Sequence, residues 1–487
     1  MKTSLQLDYP AILANTARPV HLALTFDAPE VTGARAQPVA FVAVIDRSGS
    51  MDGPPLAAAK NAVREVVRNL RRGDQFGLVV FDSEAQVLVP LSADRDVAAL
   101  NRIIDGIQGG SSTNLAGGWC LGRDLLAGAP AEAPRKLLLL TDGQVNAGVT
   151  DPLIVTQMAA AGLERHHIRT SCLGFGPGYN EDLLDAVAKA TGGALHNANQ
   201  PDQLPEVFRK ELDGLQSLVV QNLRVRASSC GFVERIAVLG DYVGTTQPAG
   251  GLEVSVGDLV SGEQRVMVLA LDVLPIPPGA DGRAVANWDG EDLLELELRY
   301  DAITAEGLVS RTETHRVKVR PVQSPADVRV NEEVLPWVTL QSAAAVVERA
   351  IRLRDEGKRV EAVRLIEQEV ARLATLPASD LVADARRLLQ TARHTVVEGN
   401  EQIYGSSRKD LRSMKRFYSI GASIDDSTLS EEMQPSFKRR RQAPQAPTSP
   451  AGPATPGKAD AGGALSGQQS TGNTKPGSNP ASSEPGA

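Results

Sequence analysis

The stretch Phe41-Val42-Ala43-Val44-Ile45-Asp46-Arg47-Ser48-Gly49-Ser50-Met51-Asp52-Gly53 decides the fold. Five apolar residues run straight into a polar, Gly-containing turn. Residues 55–70 then carry apolar side chains at helical spacing (Leu56, Ala59, Val63, Val66, Val67, Leu70). An apolar run of this length predicts a strand buried on both faces, as in parallel sheets flanked by helices. Further runs at 76–81, 137–140 and 168–175 alternate with helical patterns around 96–107, 115–127, 152–162 and 180–190. Residues 37–215 therefore predict an α/β, doubly wound, Rossmann-like domain on a parallel sheet.

The flanks read differently. Between 216 and 325, segments such as Val219-Val220-Gln221-Asn222-Leu223-Arg224-Val225 and Leu294-Glu295-Leu296-Glu297-Leu298 alternate apolar and polar residues, which predicts an antiparallel β-sandwich. Residues 1–36 hold similar strands, too few to bury a core alone. They are expected to complete the sandwich, which makes the α/β domain an insertion. Residues 331–420 turn to a 3.6 period and predict a helical region, with helices over 334–356, 359–374 and 379–397; Gly357 ends the first and Ser379 caps the third. Beyond them a basic cluster, Arg408, Lys409, Arg412, Lys415 and Arg416, lies beside Met414, Phe417 and Tyr418. The segment 421–487 is expected to be a disordered tail. Its residues 442–487 hold eight prolines and one large aliphatic residue, Leu465, too little apolar surface to offset the ordering entropy.

Composition narrows the function. With 51 Lys+Arg against 59 Asp+Glu the net charge is −8, which argues against specific nucleic-acid binding by the folded domains. Any anionic partner is expected at the C-terminal arm that carries Arg408 to Arg416 and Lys438 to Arg441. No apolar run is long enough to span a membrane, and no signal-peptide core follows the start. Three scattered cysteines (Cys120, Cys172, Cys230) fit a reducing compartment and supply no zinc site, so a cytoplasmic protein is expected.

The chemistry gathers where the predicted strands end. Asp46, Ser48 and Ser50 offer oxygens on alternate residues after the first strand. Thr113 lies in the Gly-rich loop Gly109-Gly110-Ser111-Ser112-Thr113-Asn114, and Thr141-Asp142-Gly143 follows the strand at 137–140. In an open α/β sheet these loops share the carboxyl edge, where ligands bind. Two carboxylates (Asp46, Asp142) and three hydroxyls (Ser48, Ser50, Thr113) make an all-oxygen set short of six ligands. Such a set suits Mg²⁺ with retained waters; Mn²⁺ or Ca²⁺ would take the same donors. Two carboxylates leave the ion nearly neutral, so it can still accept a Glu or Asp oxygen from a partner protein.

At these residues the sequence resembles the von Willebrand factor A (VWA) family and its metal-ion-dependent adhesion site, Asp-x-Ser-x-Ser with a distant Thr and a later Asp. All five positions are present in order: Asp46, Ser48, Ser50, Thr113 and Asp142. The text around them, Gly73 to Phe81 and Leu140 to Gln144, is similar too, of the kind found in bacterial VWA proteins and in inter-alpha-trypsin-inhibitor heavy chains. The segment Val256-Gly257-Asp258-Leu259-Val260-Ser261-Gly262-Glu263-Gln264-Arg265 is similar to one that follows the A domain in bacterial relatives and in plant ubiquitin ligases, whose zinc-binding RING finger is missing here. The resemblance implies a non-catalytic protein-protein interaction module that engages an acidic residue through its ion. An alternative is an adaptor or regulator of a MoxR-type AAA+ ATPase. A metal-dependent hydrolase is disfavoured because no general base stands beside the ligands. A phosphatase using Asp46 as nucleophile lacks the second acid, since Ser48 occupies that position. The loop Gly174 to Gly178 lacks dinucleotide spacing, and His166, His167 and His196 read as surface or packing residues.

Overall fold

The buried run after residue 39 is the strand at the centre of everything else. In the computed structural model, which describes residues 1–31, 37–176, 178–247, 250–278, 290–304 and 307–420, the chain opens with β1 (Lys2–Leu7), β2 (Ala11–Leu13) and β3 (Arg18–Asp27) and then enters β4 (Ala40–Asp46). There follow α1 (Pro54–Asn69), β5 (Gln75–Phe81), β6 (Ala85–Ser92), α2 (Val97–Asp105), α3 (Leu115–Ala127), β7 (Arg135–Thr141), α4 (Pro152–His166), β8 (Ile168–Phe175), α5 (Glu181–Thr191), β9 (Leu195–Ala198) and α6 (Gln203–Gln216). These strands form one sheet in the order β6-β5-β4-β7-β8-β9. Every residue of β4 is buried, because helices cover both faces. Phe41, Ala43 and Ile45 pack with α1, α2 and α6 on one side, while Val42 and Val44 pack with α3, α4 and α5 on the other. The sheet is parallel except at one edge: β6 runs antiparallel to β5, a correction to the all-parallel expectation. A short connection of three residues between β5 and β6 cannot make a crossover, so it closes a hairpin.

After α6 come β10 (Leu218–Ser229), β11 (Val233–Val238), β12 (Val243–Thr246), β13 (Leu252–Val260), β14 (Gln264–Val273), β15 (Glu291–Thr304) and β16 (Gly307–Val322). They join the strands that precede β4. One sheet runs β1-β3-β14-β11 and another β12-β13-β10-β15-β16-β2. Leu22, Leu24, Phe26, Met267, Leu269 and Leu271 from the first sheet share an apolar cluster with Leu223, Val225, Ala227, Leu294, Leu296 and Leu298 from the second. Alternation puts one set of side chains inside and the charged set, such as Arg224, Arg226, Glu295 and Glu297, toward the rim. The 256–265 segment identified in the sequence joins this region to the α/β domain. Arg169 of β8 forms a two-pronged ion pair with Asp258, which also accepts the Asn222 amide at 2.9 Å. Gly257, at φ 98°, lies within β13 where its pairing with β10 shifts register, just before Asp258.

The helical region holds α7 (Leu335–Asp355), α8 (Arg359–Ala374), α9 (Asp380–Val397) and a further helix, α10 (Glu401–Ile420). Gly357 (φ 79°) breaks the chain between α7 and α8, and the Ser379 hydroxyl accepts the Val382 amide at 3.2 Å to start α9. The basic cluster is no open arm. Leu411, Met414 and Tyr418 of α10 lie in the core of the helical region, and Lys415 and Arg416 are buried in ion pairs. The correction has a physical cause: the cations face acidic side chains from α5 and α7 that only the fold brings near. The proposed tail, 421–487, with Lys438 to Arg441, lies outside the described residues. No helix among the described residues is long and apolar enough to cross a membrane.

Candidate metal centre

β4 sits where the strand order reverses, with β5 on one side and β7 on the other, so the crevice above its carboxyl end is open. Asp46 is the last residue of β4, still paired with Phe81, and its side chain is wholly buried. Its Oδ1 accepts the Ser48 amide at 2.7 Å and its Oδ2 the Thr141 hydroxyl at 2.5 Å. A single 3-10 turn, Gly49–Met51, then brings Ser48 Oγ and Ser50 Oγ to 3.3 Å, and the Ser50 hydroxyl donates to Asp142 Oδ1 at 2.7 Å. Asp46, Ser48, Ser50 and Asp142 thus form one continuous string of oxygens.

The Gly-rich loop closes over this turn. The Gly110 amide donates to the Arg47 carbonyl at 2.6 Å and the Gly49 amide to the Ser111 carbonyl at 3.1 Å. A Cβ on Gly110 would stand 2.0 Å from Asp82 Oδ2, so no larger residue fits. Thr113 is pinned by the Asn146 side chain, whose Oδ1 accepts its amide at 2.8 Å, and its carbonyl accepts the amides of Asn146 and Ala147. A Cβ built on Gly143 would lie 3.5 Å from Thr113 Oγ1 and 3.6 Å from Ser50 Oγ, so both hydroxyls converge on the same point of the Asp142 loop. The structure therefore brings all five sequence-predicted residues together.

Burial pushes the Asp46 carboxyl above its ordinary range, against the bonds from Thr141 and Ser48, and the neighbouring Asp142 charge adds to the push. Burial also raises Asp142, partly offset by Ser50. Among the described residues neither carboxylate has an ion-pair partner: Arg47, the adjacent base, turns to Asp82 at 3.1 Å. Two converging carboxylates without a counter-cation, beside three hydroxyls, form a hard-oxygen site of low charge, and a divalent cation fits it. Among the described residues no group of three or more His, Cys, Asp or Glu offers a richer site.

Sequence reasoning overlooked the residues that hold the ligands. Asp82 anchors Arg47 and accepts the Glu84 amide, its carbonyl accepts the Asn114 amide, Thr141 braces Asp46, and Asn146 holds Thr113. Asp82 carried a readable signal, since it follows a buried apolar run as Asp46 does. His196 is buried and meets Glu211 at 2.5 Å, away from these loops.

Residues 41–210 match the family model for the von Willebrand factor type A domain. This segment is a VWA domain. An uncharacterized protein of Synechocystis is 26% identical over 312 residues, which cover 62% of this chain and 71% of that protein. The bovine inter-alpha-trypsin inhibitor heavy chain H4 is 31% identical over 166 residues, covering 32% of this chain and 18% of its own length, so the chain spans under a fifth of that relative. Among solved structures, a von Willebrand factor type A protein from Catenulispora acidiphila superposes with a TM-score of 0.66 at 18% identity, covering 86% of this chain and 97% of that one. That likeness is one of fold, and it extends past the VWA domain into the flanking sheets and helices.

Proposed function

We propose that this protein is a non-catalytic interaction module. Its VWA domain, inserted in a β-sandwich, holds one Mg²⁺ with Asp46, Ser48, Ser50, Thr113 and Asp142, and a Glu or Asp of a partner protein completes the coordination. The observation that carries this reading is the buried Asp46 carboxylate beside the half-buried Asp142 carboxylate, both raised above their ordinary range and without an ion-pair partner among the described residues, joined to hydroxyls at the sheet's carboxyl edge. A divalent ion held by these residues would supply the missing positive charge and would leave room for an external carboxylate. Mn²⁺ would serve in place of Mg²⁺. Cys120, Cys172 and Cys230 are unpaired, which supports a cytoplasmic setting. Among the described residues no His or Lys is hydrogen-bonded to Asp46, Ser48, Ser50 or Asp142, which favours binding over hydrolysis.

Capture of partner proteins from native lysate, with Mg²⁺ or with EDTA and with wild type or Asp46→Ala, tests the proposal. Capture should require both the ion and Asp46. The same proteins retained in EDTA and by Asp46→Ala would sink it.

A further inference from the structure

The helix α10, distant in sequence from the VWA domain, packs against the segment that follows β8. Its apolar residues Leu411, Met414 and Tyr418 pack into the helical region, while its cations face the VWA domain and its surroundings. Arg408 pairs with Glu181 at 3.2 Å and Asp355 at 2.9 Å. Arg412 pairs with Asp182, Lys415 with Asp241 at 3.0 Å and Glu348 at 2.5 Å, and Arg416 with Asp185 and the Gly193 carbonyl.

This contact is imperfectly satisfied. Four buried side-chain polar atoms here, Asp241 Oδ2 and the Nε atoms of Arg408, Arg412 and Arg416, lack a hydrogen-bond partner among the described residues. Such atoms oppose the docked state. A cavity of about 570 Å³ opens at one end of this contact, where it borders Arg416 together with Lys189, Gly193 and Asp241. On its VWA side α10 is held by charge pairs, whereas its apolar residues belong to the helical core.

A continuous set of contacts runs from α10 to the metal site. Lys409 Nζ stands 3.6 Å from the centre of the Tyr179 ring, and Asp410 Oδ1 accepts from Asn197 Nδ2 at 3.3 Å. Tyr179 itself donates to Asn197 Oδ1 at 3.2 Å and lies against Gly174, where a Cβ would be 2.4 Å from the ring. One residue before it, the Gly178 carbonyl accepts Gln144 Nε2 at 2.7 Å, and a Cβ on Gly178 would sit 3.0 Å from the Asp142 carbonyl oxygen. The segment 178–180 is therefore gripped by α10 on one side and by the Asp142 loop on the other.

We propose that α10 is a releasable latch: docked, it holds the 178–180 segment against the Asp142 loop, and its release loosens both and weakens divalent-ion binding. The last consequence rests on the metal-site reading above, whereas the coupling of α10 to segment 178–180 does not. Hydrogen exchange on the full chain, followed residue by residue, separates the two. The Arg412→Asp variant should speed amide exchange in 404–418 and in 178–184 together, by roughly tenfold or more, and adding Asp182→Arg should restore both by re-forming the pair in reverse. Rising salt should produce the same joint increase in the unmutated protein, which covers the case of a variant that misfolds. In the same samples the Mg²⁺ dissociation constant should rise several-fold for Arg412→Asp and recover with the swap. Faster exchange confined to α10, with 178–184 unchanged in both the variant and high salt, would overturn the latch. If wild type takes up no Mg²⁺, the metal reading fails on its own, and the paired exchange still decides the latch.

Discussion

Asp46 is a carboxylate that the fold buries with no ion-pair partner among the described residues, and its chemistry follows from that. Asn at this position keeps an acceptor for the Ser48 amide and removes the charge, so metal-free stability should stay within about 1 kcal/mol of wild type. The response to the ion should change far more. At a hundredfold excess over its dissociation constant, Mg²⁺ should stabilise wild type by about 2.7 kcal/mol and Asp46→Asn not at all, which thermal denaturation in Mg²⁺ and in EDTA will show. The five candidate positions were legible as a group because each lies just beyond an apolar run or inside a Gly-rich loop. Thr141 and Asn146 were not legible as supports, because they act through partners 95 and 33 residues away that only the folded sheet edge assembles.

At the scale of elements, the loop 109–114 matters as much as the residues it carries. Gly110→Ala forces a methyl toward the Asp82 carboxylate, so the loop must lift away from the 47–50 turn and carry Thr113 with it. A loss of about 1–3 kcal/mol is expected, measured by urea denaturation, together with weaker Mg²⁺ binding. The buried strands β4, β5, β7 and β8 were readable from continuous apolar runs. By contrast, β6 is half exposed and carries Pro90, so it lacks both the run and clean alternation, and an edge place is what such a strand can fill. The helix α10 was hidden differently. Five cations and Gly405 dilute its apolar stripe, and the burial of Lys415 and Arg416 depends on acidic residues more than 60 positions away.

Across the molecule, buried charge ties the layers together. Glu211 of α6 lies among Lys136 at 2.5 Å, His196 at 2.5 Å and Ser171 at 2.9 Å. Burial opposes its charge, yet Lys136 and His196 prevail and hold its carboxyl far below the usual range. Because the folded value lies below the unfolded one, the Glu211 contribution is complete above about pH 4.3 and fades as the pH falls further. Glu211→Gln should therefore cost about 2–3 kcal/mol at neutral pH, where the half-buried Lys136 loses its partner, and the gap to wild type should narrow in denaturation series taken toward pH 3. The acidic balance of the whole chain foretold none of this arrangement. The net charge of −8 does not by itself draw an acidic partner, and on the proposed reading a bound cation supplies that attraction. Equilibrium dialysis against Mn²⁺, comparing wild type with Asp46→Ala and Thr113→Ala, tests that point most directly. One ion per chain for wild type, and loss of that ion in both variants, is the expected result; equal uptake by all three, or none by wild type, would contradict the metal-centred account.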